Sequence, residues 1–335
     1  MIRSAQPHAG GRLSRLAPYR REVSVGGAIA LLGLVLAFAA PGYFSRANLG
    51  DLFLANLPVL IVSLGATLIV ITGEIDISVG SVFAICAVLS GVAAKAGVAN
   101  PAIVLLVLLA GAALGATNGA LVAYLRLPSI VVTLSTMVIL REGLRWITQG
   151  AWVEDLPAGY QWLGVSQATY PIAVFVVSAG LLVTLAWSAA HVAAGRAIYA
   201  TGSNPDAARL AGFDTAFVKW AVFTGAGALT GLAALLNAVR FNQIPSNTGL
   251  GLEMKVIAAV IVGGTAIRGG RGTFAGTMLG VILLGAIGPA LTFLGVNAYW
   301  ERAIQGAIIL TAVAIDAWRQ RPPTHARAFA ARAGV

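Results

Sequence analysis

The stretch Thr72–Ser81, TGEIDISVGS, decides how this chain is read. Its Glu74 and Asp76 are the only charged residues between Leu52 and Ala94, and everything around them is aliphatic, small or hydroxylated. As one helix, residues 52–94 would run about 65 Å, twice the hydrocarbon core of a bilayer. The segment must therefore break, and Gly73 and Gly80 bracket the break, with the carboxylates inside it. In a structural reading, Glu74 and Asp76 accept hydrogen bonds from backbone N–H groups freed there, and Ser78 caps the helix that starts near Val79. Two other readings stay open. The carboxylates could carry protons or ions, as in a secondary transporter, or line a polar pathway and its gate.

The surrounding composition makes the membrane reading general. The chain has 335 residues, 58% hydrophobic and 10% charged, where a soluble domain carries roughly 25% charged residues. Apolar runs recur at about 23–40, 52–72, 77–95, 101–124, 128–147, 170–190, 216–238, 253–267, 273–294 and 298–317. The expectation is an all-α polytopic membrane protein, with about ten transmembrane helices in one bundle and some of them broken. A net charge of +10 would suggest nucleic acid in a soluble protein. Here the arginines gather at the two ends without aromatic or polar surface for reading bases, so no nucleic-acid partner is expected. The one partner that composition demands is the lipid bilayer.

Charge placement sets the orientation. Fifteen of the 22 Lys and Arg residues fall on one side if both termini are cytoplasmic, among them Arg126, Arg196, Arg209, Lys219, Arg268 and Arg271. The remaining seven fall outside or in outer ends of spans, and this asymmetry favours the arrangement over its inverse. A basic cytoplasmic segment 1–22 then precedes a transmembrane domain 23–318, and a basic cytoplasmic tail 319–335 follows. The apolar run after the basic start continues to Phe38 and is followed by further spans, so it is read as a start-anchor. Trp146, Trp152, Tyr160 and Trp162, in and beside the outer connection 148–169, are expected to form an interfacial belt. The inner connection 191–215 holds a short helix: Asn204 caps it, Pro205 sits at its first position, and Gly212 ends it.

A weak internal echo lays VITGEIDISVGS (70–81) on VGGTAIRGGRGT (262–273). Both are glycine-interrupted breaks between apolar runs, as in transporters built from structural repeats. In the second, Gly263, Gly264, Gly269, Gly270 and Gly272 around Arg271 imply a tight inner turn. No phosphate-binding GxxxxGK[ST] occurs. The small residues of Gly225–Gly231 lie inside a span and are read as helix packing. The three histidines have no metal spacing, the one cysteine, Cys86, precludes an internal disulfide, and no nucleophile set is visible. No catalytic residue, metal or cofactor is therefore expected on the chain.

TGEIDISVGS closely resembles the motif GGIDLSVGS of permease subunits of ATP-binding-cassette importers for simple sugars, the ribose and xylose type. TNGALVAYLRLPSIVVTLSTM (117–137), AIYATGSNPDAARLAGF (197–213) and the glycine-rich run 251–287 resemble the same family. RFNQIPSNTGLGLEMKVIAA is most similar to its rhamnose and autoinducer-2 subgroup. Asp76, Ser78, Gly80 and Ser81 match the motif, whereas Glu74 stands where the family usually has Gly. The resemblance implies a permease subunit, in a bacterial inner membrane, of an ATP-driven importer for a monosaccharide or similar small solute. It implies a second permease subunit, identical or paralogous, a cytoplasmic ATPase dimer holding ATP and Mg, and a periplasmic solute-binding protein. It also implies a coupling segment at about 196–213. There Ser203, Asn204, Pro205, Asp206, Ala207, Ala208, Arg209, Leu210 and Gly212 would seat the short helix in a groove of the ATPase. Small Ala207, Ala208 and Ala211 would allow close approach, and Leu210 would fill an apolar recess. The alternatives are an ion-coupled secondary transporter using Glu74 and Asp76, and a branched-chain amino-acid permease.

Overall fold

The computed structural model describes residues 20–297 and 299–319. The expectations for most of the basic segment 1–22 and of the tail 319–335, arginines included, lie outside the described residues. Twelve α-helices are described: α1 (Arg20–Ala39), α2 (Arg46–Ile71), α3 (Val79–Lys95), α4 (Asn100–Ala123), α5 (Ser129–Thr148), α6 (Tyr170–His191), α7 (Ala193–Ser203), α8 (Pro205–Leu210), α9 (Thr215–Ala238), α10 (Leu252–Val262), α11 (Phe274–Phe293) and α12 (Trp300–Arg319). Among the described residues there is no strand, only an isolated bridge between Val153 and Ile244.

Each of the ten apolar runs coincides with a helix. Six of the described helices are long and apolar enough to cross a membrane by length and composition: α1, α2, α4, α6, α9 and α11. The other four differ for separate reasons. Helix α3 has 17 residues, α5 carries Arg141, Glu142 and Arg145, and α12 opens on Glu301 and Arg302. Helix α10 has only 11 residues, or about 16 Å, half a bilayer core. The expected apolar run 253–267 is corrected here: the helix stops at Val262, because the chain turns at Gly263 and Gly264, the latter at φ +101°.

The layering follows burial. Helix α2 lies at the centre, with 72% of its most apolar window buried, whereas α1 and α6 bury 11% of theirs and form the rim. In lipid, helix association gains little from the hydrophobic effect, and close backbone packing takes its place. The α4–α9 contact shows how. Gly111, Gly115 and Gly119 recur every fourth residue along one face of α4, and a side chain on the first two would run into the backbone carbonyls of Gly227 and Phe223 on α9. Conversely, a side chain on Gly227 or Gly231 would meet the carbonyls of Gly111 or Val107. Threonines add bonds between helices, as between the hydroxyls of Thr67 and Thr277, 2.7 Å apart.

The four aromatics expected to form a belt beside 148–169 divide by exposure. Trp146 and Trp152 are 76% and 48% exposed, but Tyr160 is 2% exposed and its hydroxyl shares a 2.6 Å hydrogen bond with Ser90. Trp162 packs edge-on against Tyr170 at 5.2 Å. These two turn inward because the connection folds over the bundle and pairs with the segment after α9: Trp162 N–H donates to Val239 at 2.8 Å and Leu156 N–H to Asn242 at 3.2 Å. Cys86 is fully buried.

The glycine seam yields a direct test. Gly115→Leu or Gly227→Leu should abolish recovery of a monodisperse chain in mild detergent, because overpacking here meets backbone and costs at least about 1–3 kcal/mol. Gly225→Leu, whose new side chain meets nothing within 4 Å, should elute and melt as the wild type does.

Candidate functional site

The break between α2 and α3 is built from its unsatisfied backbone outward. Helix α2 ends at Ile71 and is followed by its cap, Thr72, whose hydroxyl donates to the Ile69 carbonyl at 2.7 Å, and Gly73 turns the chain at φ +83°. Helix α3 begins only at Val79. The groups exposed between them are met by the first turns of α5: Ile75 N–H donates to Ser129 Oγ at 3.2 Å, and Thr133 Oγ1 reaches the Ile75 carbonyl at 3.4 Å.

Asp76 is 7% exposed. Its Oδ1 accepts from Ser78 N–H at 2.8 Å and from the Ser78 hydroxyl at 2.6 Å. The carboxylate therefore takes up a freed N–H as expected, whereas Ser78 occupies the cap position but makes no capping hydrogen bond with its side chain. The Ser78 hydroxyl is free to accept from Asn118 Nδ2 at 2.9 Å, and Asn118 Oδ1 accepts from Thr136 at 2.7 Å. A buried chain of hydrogen bonds thus runs from the break through α4 to α5. Asn118 and Thr136 were missed in the sequence, although a buried amide within an apolar span was the signal that could have exposed them.

Glu74 does not join Asp76. It pairs with Lys219 in the first turns of α9, both side chains being largely buried. Gly80 is also displaced from its expected place: it lies in the first turn of α3 rather than at the edge of the break. A side chain there would strike the Glu253 carboxylate and come within 2.7 Å of the Gly249 carbonyl. Its role is close approach of α3 to the segment entering α10. Ser81 lies one residue further into α3 and donates to the Met137 carbonyl of α5 at 2.8 Å.

The second break, 263–273, comes to the same end of the bundle and touches the first. Gly270 N–H donates to the Ile71 carbonyl at 2.8 Å. A side chain on Gly269, at φ +83°, would lie 2.8 Å from the Gly73 nitrogen, and one on Gly270 2.8 Å from Ser203 Cα. The end of α7 completes the contact, since Gly202 packs against the Ile71 carbonyl so closely that no side chain fits. Tyr199 on α7 donates to the Gly272 carbonyl at 2.7 Å. Gly263 packs on Gly276 and Gly264 beside Arg21, whose guanidinium donates to the Gly264 carbonyl at 3.2 Å. Arg268 and Arg271 are exposed. Three chain segments, 71–73, 202–203 and 269–270, therefore meet backbone to backbone.

From Ser203 the chain passes directly into α8. Asn204 Oδ1 accepts from Asp206 N–H at 3.1 Å and Ala207 N–H at 3.0 Å, Pro205 occupies the first turn, and Gly212 leaves the helix at φ +87°. The face that α8 presents is not the one expected. Ala208 is 3% exposed and turned into the chain, whereas Leu210 is 92% exposed. Arg209 pairs with Asp206 on the same helix. A cavity of about 570 Å³ lies beside it, lined by Glu74, Arg126, Pro205, Arg209, Asp214 and Lys219 among others. No group of three or more His, Cys, Asp or Glu residues that could hold a metal occurs among the described residues.

The anchoring of the break can be measured. Asp76→Ala should lower stability by about 1–3 kcal/mol, the cost of leaving the buried Ser78 N–H without an acceptor. Asp76→Asn, which keeps an acceptor oxygen, should lose less than half of that in thermal unfolding of the detergent-purified chain. Equal losses would sink the capping role.

Comparison with known proteins gives this geometry a family. The family model described as "Branched-chain amino acid transport system / permease component" matches residues 48–313. The autoinducer 2 import system permease protein LsrC of Salmonella typhimurium (strain LT2) is 38% identical over 299 residues, covering 86% of this chain and 85% of that protein. The protein of the same name from Escherichia coli (strain K12 / DH10B) is 37% identical over 292 residues, with the same coverage. No solved structure matches. A family model spanning residues 48–313, and relatives above one-third identity over most of both chains, converge on one conclusion: this chain belongs to that family of transport-system permeases.

Proposed function

We propose that the chain forms, with a second permease subunit, the membrane path of an ATP-driven importer for a small polyhydroxylated solute, of which autoinducer 2 is the first to try. The names of its relatives support the solute and the importer setting. The observation that carries the mechanism is the position of α8. It starts two residues after Ser203, which packs on Gly270, and Gly270 is hydrogen-bonded to Ile71 at the end of α2. Force applied to α8 therefore reaches both broken helices through backbone contacts rather than through flexible side chains. An ATPase that holds α8 differently before and after ATP binding would bias the two breaks between two arrangements, which is what coupling requires.

In this reading both termini are cytoplasmic, α8 faces the ATPase, and the ten helices α1–α6 and α9–α12 make up the membrane domain. The nucleotide and its Mg stay on the ATPase. The Glu74–Lys219 pair and the Asp76 capping bonds support a structural and gating role for the carboxylates, since each is already engaged by a partner.

The docking face follows from exposure, so Leu210 is the residue to change and Ala208 is not. Leu210→Asp should leave the chain inserted with its thermal midpoint unchanged, as surface substitutions cost within about 0.5 kcal/mol. It should weaken co-purification of the ATPase and abolish ATP hydrolysis stimulated by autoinducer 2 and its binding protein. Ala208→Trp should instead damage the permease itself. A cysteine at Ala207 should crosslink to the ATPase; crosslinking to the binding protein alone would overturn both the docking role and the orientation. With ATP held constant in proteoliposomes, collapsing the proton gradient should leave uptake nearly unchanged, and loss of uptake would revive carboxylate-coupled transport.

A further inference from the structure

Helices α4 and α9, both long and apolar enough to cross a membrane, end and begin beside one cavity. It is the cavity of about 570 Å³ next to α8, with walls from the α4–α5 connection, the first break, α8 and the start of α9. A space flanked by the ends of two spanning helices lies at the depth of lipid headgroups. Small-molecule sites occupy about 300–1,000 Å³, so the volume suits a headgroup.

Most of the charge in its walls is already matched. Lys219 is paired with Glu74, and Arg209 with Asp206. Asp214 Oδ1 accepts from Ala216 N–H at 3.0 Å and Phe217 N–H at 2.9 Å, so the positive start of α9 offsets its charge. Arg126 is left over. Its side chain makes no hydrogen bond or ion pair among the described residues. Its backbone stands at φ +56°, a left-handed conformation that costs free energy in any residue with a side chain. The strained residue is thus the one that carries the unmatched charge. Arg209 and Lys219 keep further N–H donors beyond those their carboxylates take. One surplus positive charge among such donors describes a site for a monoanion.

The rim is apolar. Tyr124 and Leu127 line the cavity and are exposed, and the nearby Leu125, Ile130, Val131 and Phe217 are exposed as well. A small soluble anion leaves such a rim bare, whereas a phospholipid brings acyl chains to cover it.

We infer that this cavity holds the phosphodiester of an anionic phospholipid, with Arg126 as its charge partner and the acyl chains along the exposed residues of the α4–α5 connection and the start of α9. The site depends on this end of the bundle being cytoplasmic, as proposed above, and not on what the chain transports. Guanidinium groups suit phosphate because paired N–H groups meet its oxygens. Basic pockets between helices on the cytoplasmic side are where anionic headgroups gather. A zwitterionic lipid would bring a cationic group against Arg126 and Lys219. An acidic side chain of a docked protein would match the charge but leave the rim uncovered.

The test uses the full chain in a neutral detergent, with the lipids it retains counted by native mass spectrometry. The probes are phosphatidylglycerol, phosphatidylcholine and glycerophosphoglycerol, which is the first headgroup without its acyl chains. Wild type should retain phosphatidylglycerol about tenfold better than phosphatidylcholine, and Arg126→Gln should lose that preference, the effect of one hydrogen-bonded charge. Arg126→Gly, which also relieves the left-handed backbone, should lose it with a thermal midpoint, free of lipid, no lower than that of wild type. Arg268→Gln removes another exposed cation, one outside the cavity, and should keep the preference. Equal retention of the two lipids by wild type, or a preference that survives Arg126→Gln, overturns the site. An equal loss in Arg268→Gln reduces the effect to attraction by a basic surface and overturns it too. Lower midpoints in both Arg126 variants make Arg126 a structural residue and overturn its role. Displacement of phosphatidylglycerol by an equal concentration of glycerophosphoglycerol moves the source to a soluble phosphate ester and overturns the lipid. An Arg126→Gln chain that keeps its lipid but no longer co-purifies with the ATPase gives the cavity to an acidic protein partner instead.

Discussion

The hydrogen bond from Gly270 N–H to the Ile71 carbonyl is the contact on which the rest of the machine depends. Two helices finish at the same end of the bundle, and each finish leaves backbone carbonyls without a helical partner. Placing the two stops against each other lets one supply a partner for the other. It also brings α7 into the contact, since Gly202 and Ser203 pack on the same few atoms. Because no side chain intervenes, the joint has little slack: displacement of one strand of backbone displaces the others.

From that joint two polar systems run in different directions. One stays at the same end, where Glu74 and Lys219 tie the first break to the start of α9 beside α8. The other passes through Asp76, Ser78, Asn118 and Thr136 into α5. Helix α5 also holds Ile75 from its first turn and Thr248 through Arg141. It therefore touches both the break and the approach to α10. A shift at the joint and a change in the approach to α10 would be felt by the same helix.

Much of this was legible in the sequence. The break at Gly73 followed from length alone, because no bilayer accommodates the run 52–94 as one helix. The cap at Asn204, the proline after it and the stop at Gly212 follow from local backbone chemistry, and local chemistry needs no knowledge of neighbours. What was not legible depended on tertiary placement. Ser78 and Asp76 are two residues apart, and either could cap α3; the choice was made by Asn118 from α4, which engages the Ser78 hydroxyl. Gly80 looked like a second breaker, but its missing side chain makes space for Glu253, 173 positions away in the chain. Ala208 and Leu210 could not be told apart as inner and outer faces until α8 was laid on the bundle. Glu253 itself was within reach: it is a lone carboxylate in an apolar run, the same signal that marked Asp76.

The charges on α5 carry a consequence for how the protein comes to exist in the membrane. Glu142 and Arg145 pair at 3.2 Å yet remain 59% and 61% exposed in the single chain. Such groups are poorly tolerated against acyl chains. In the ten-helix membrane domain proposed above, these charges sit in the last two turns of α5, so the helix enters the membrane with that end drawn to the outer interface and with neighbouring segments covering the rest.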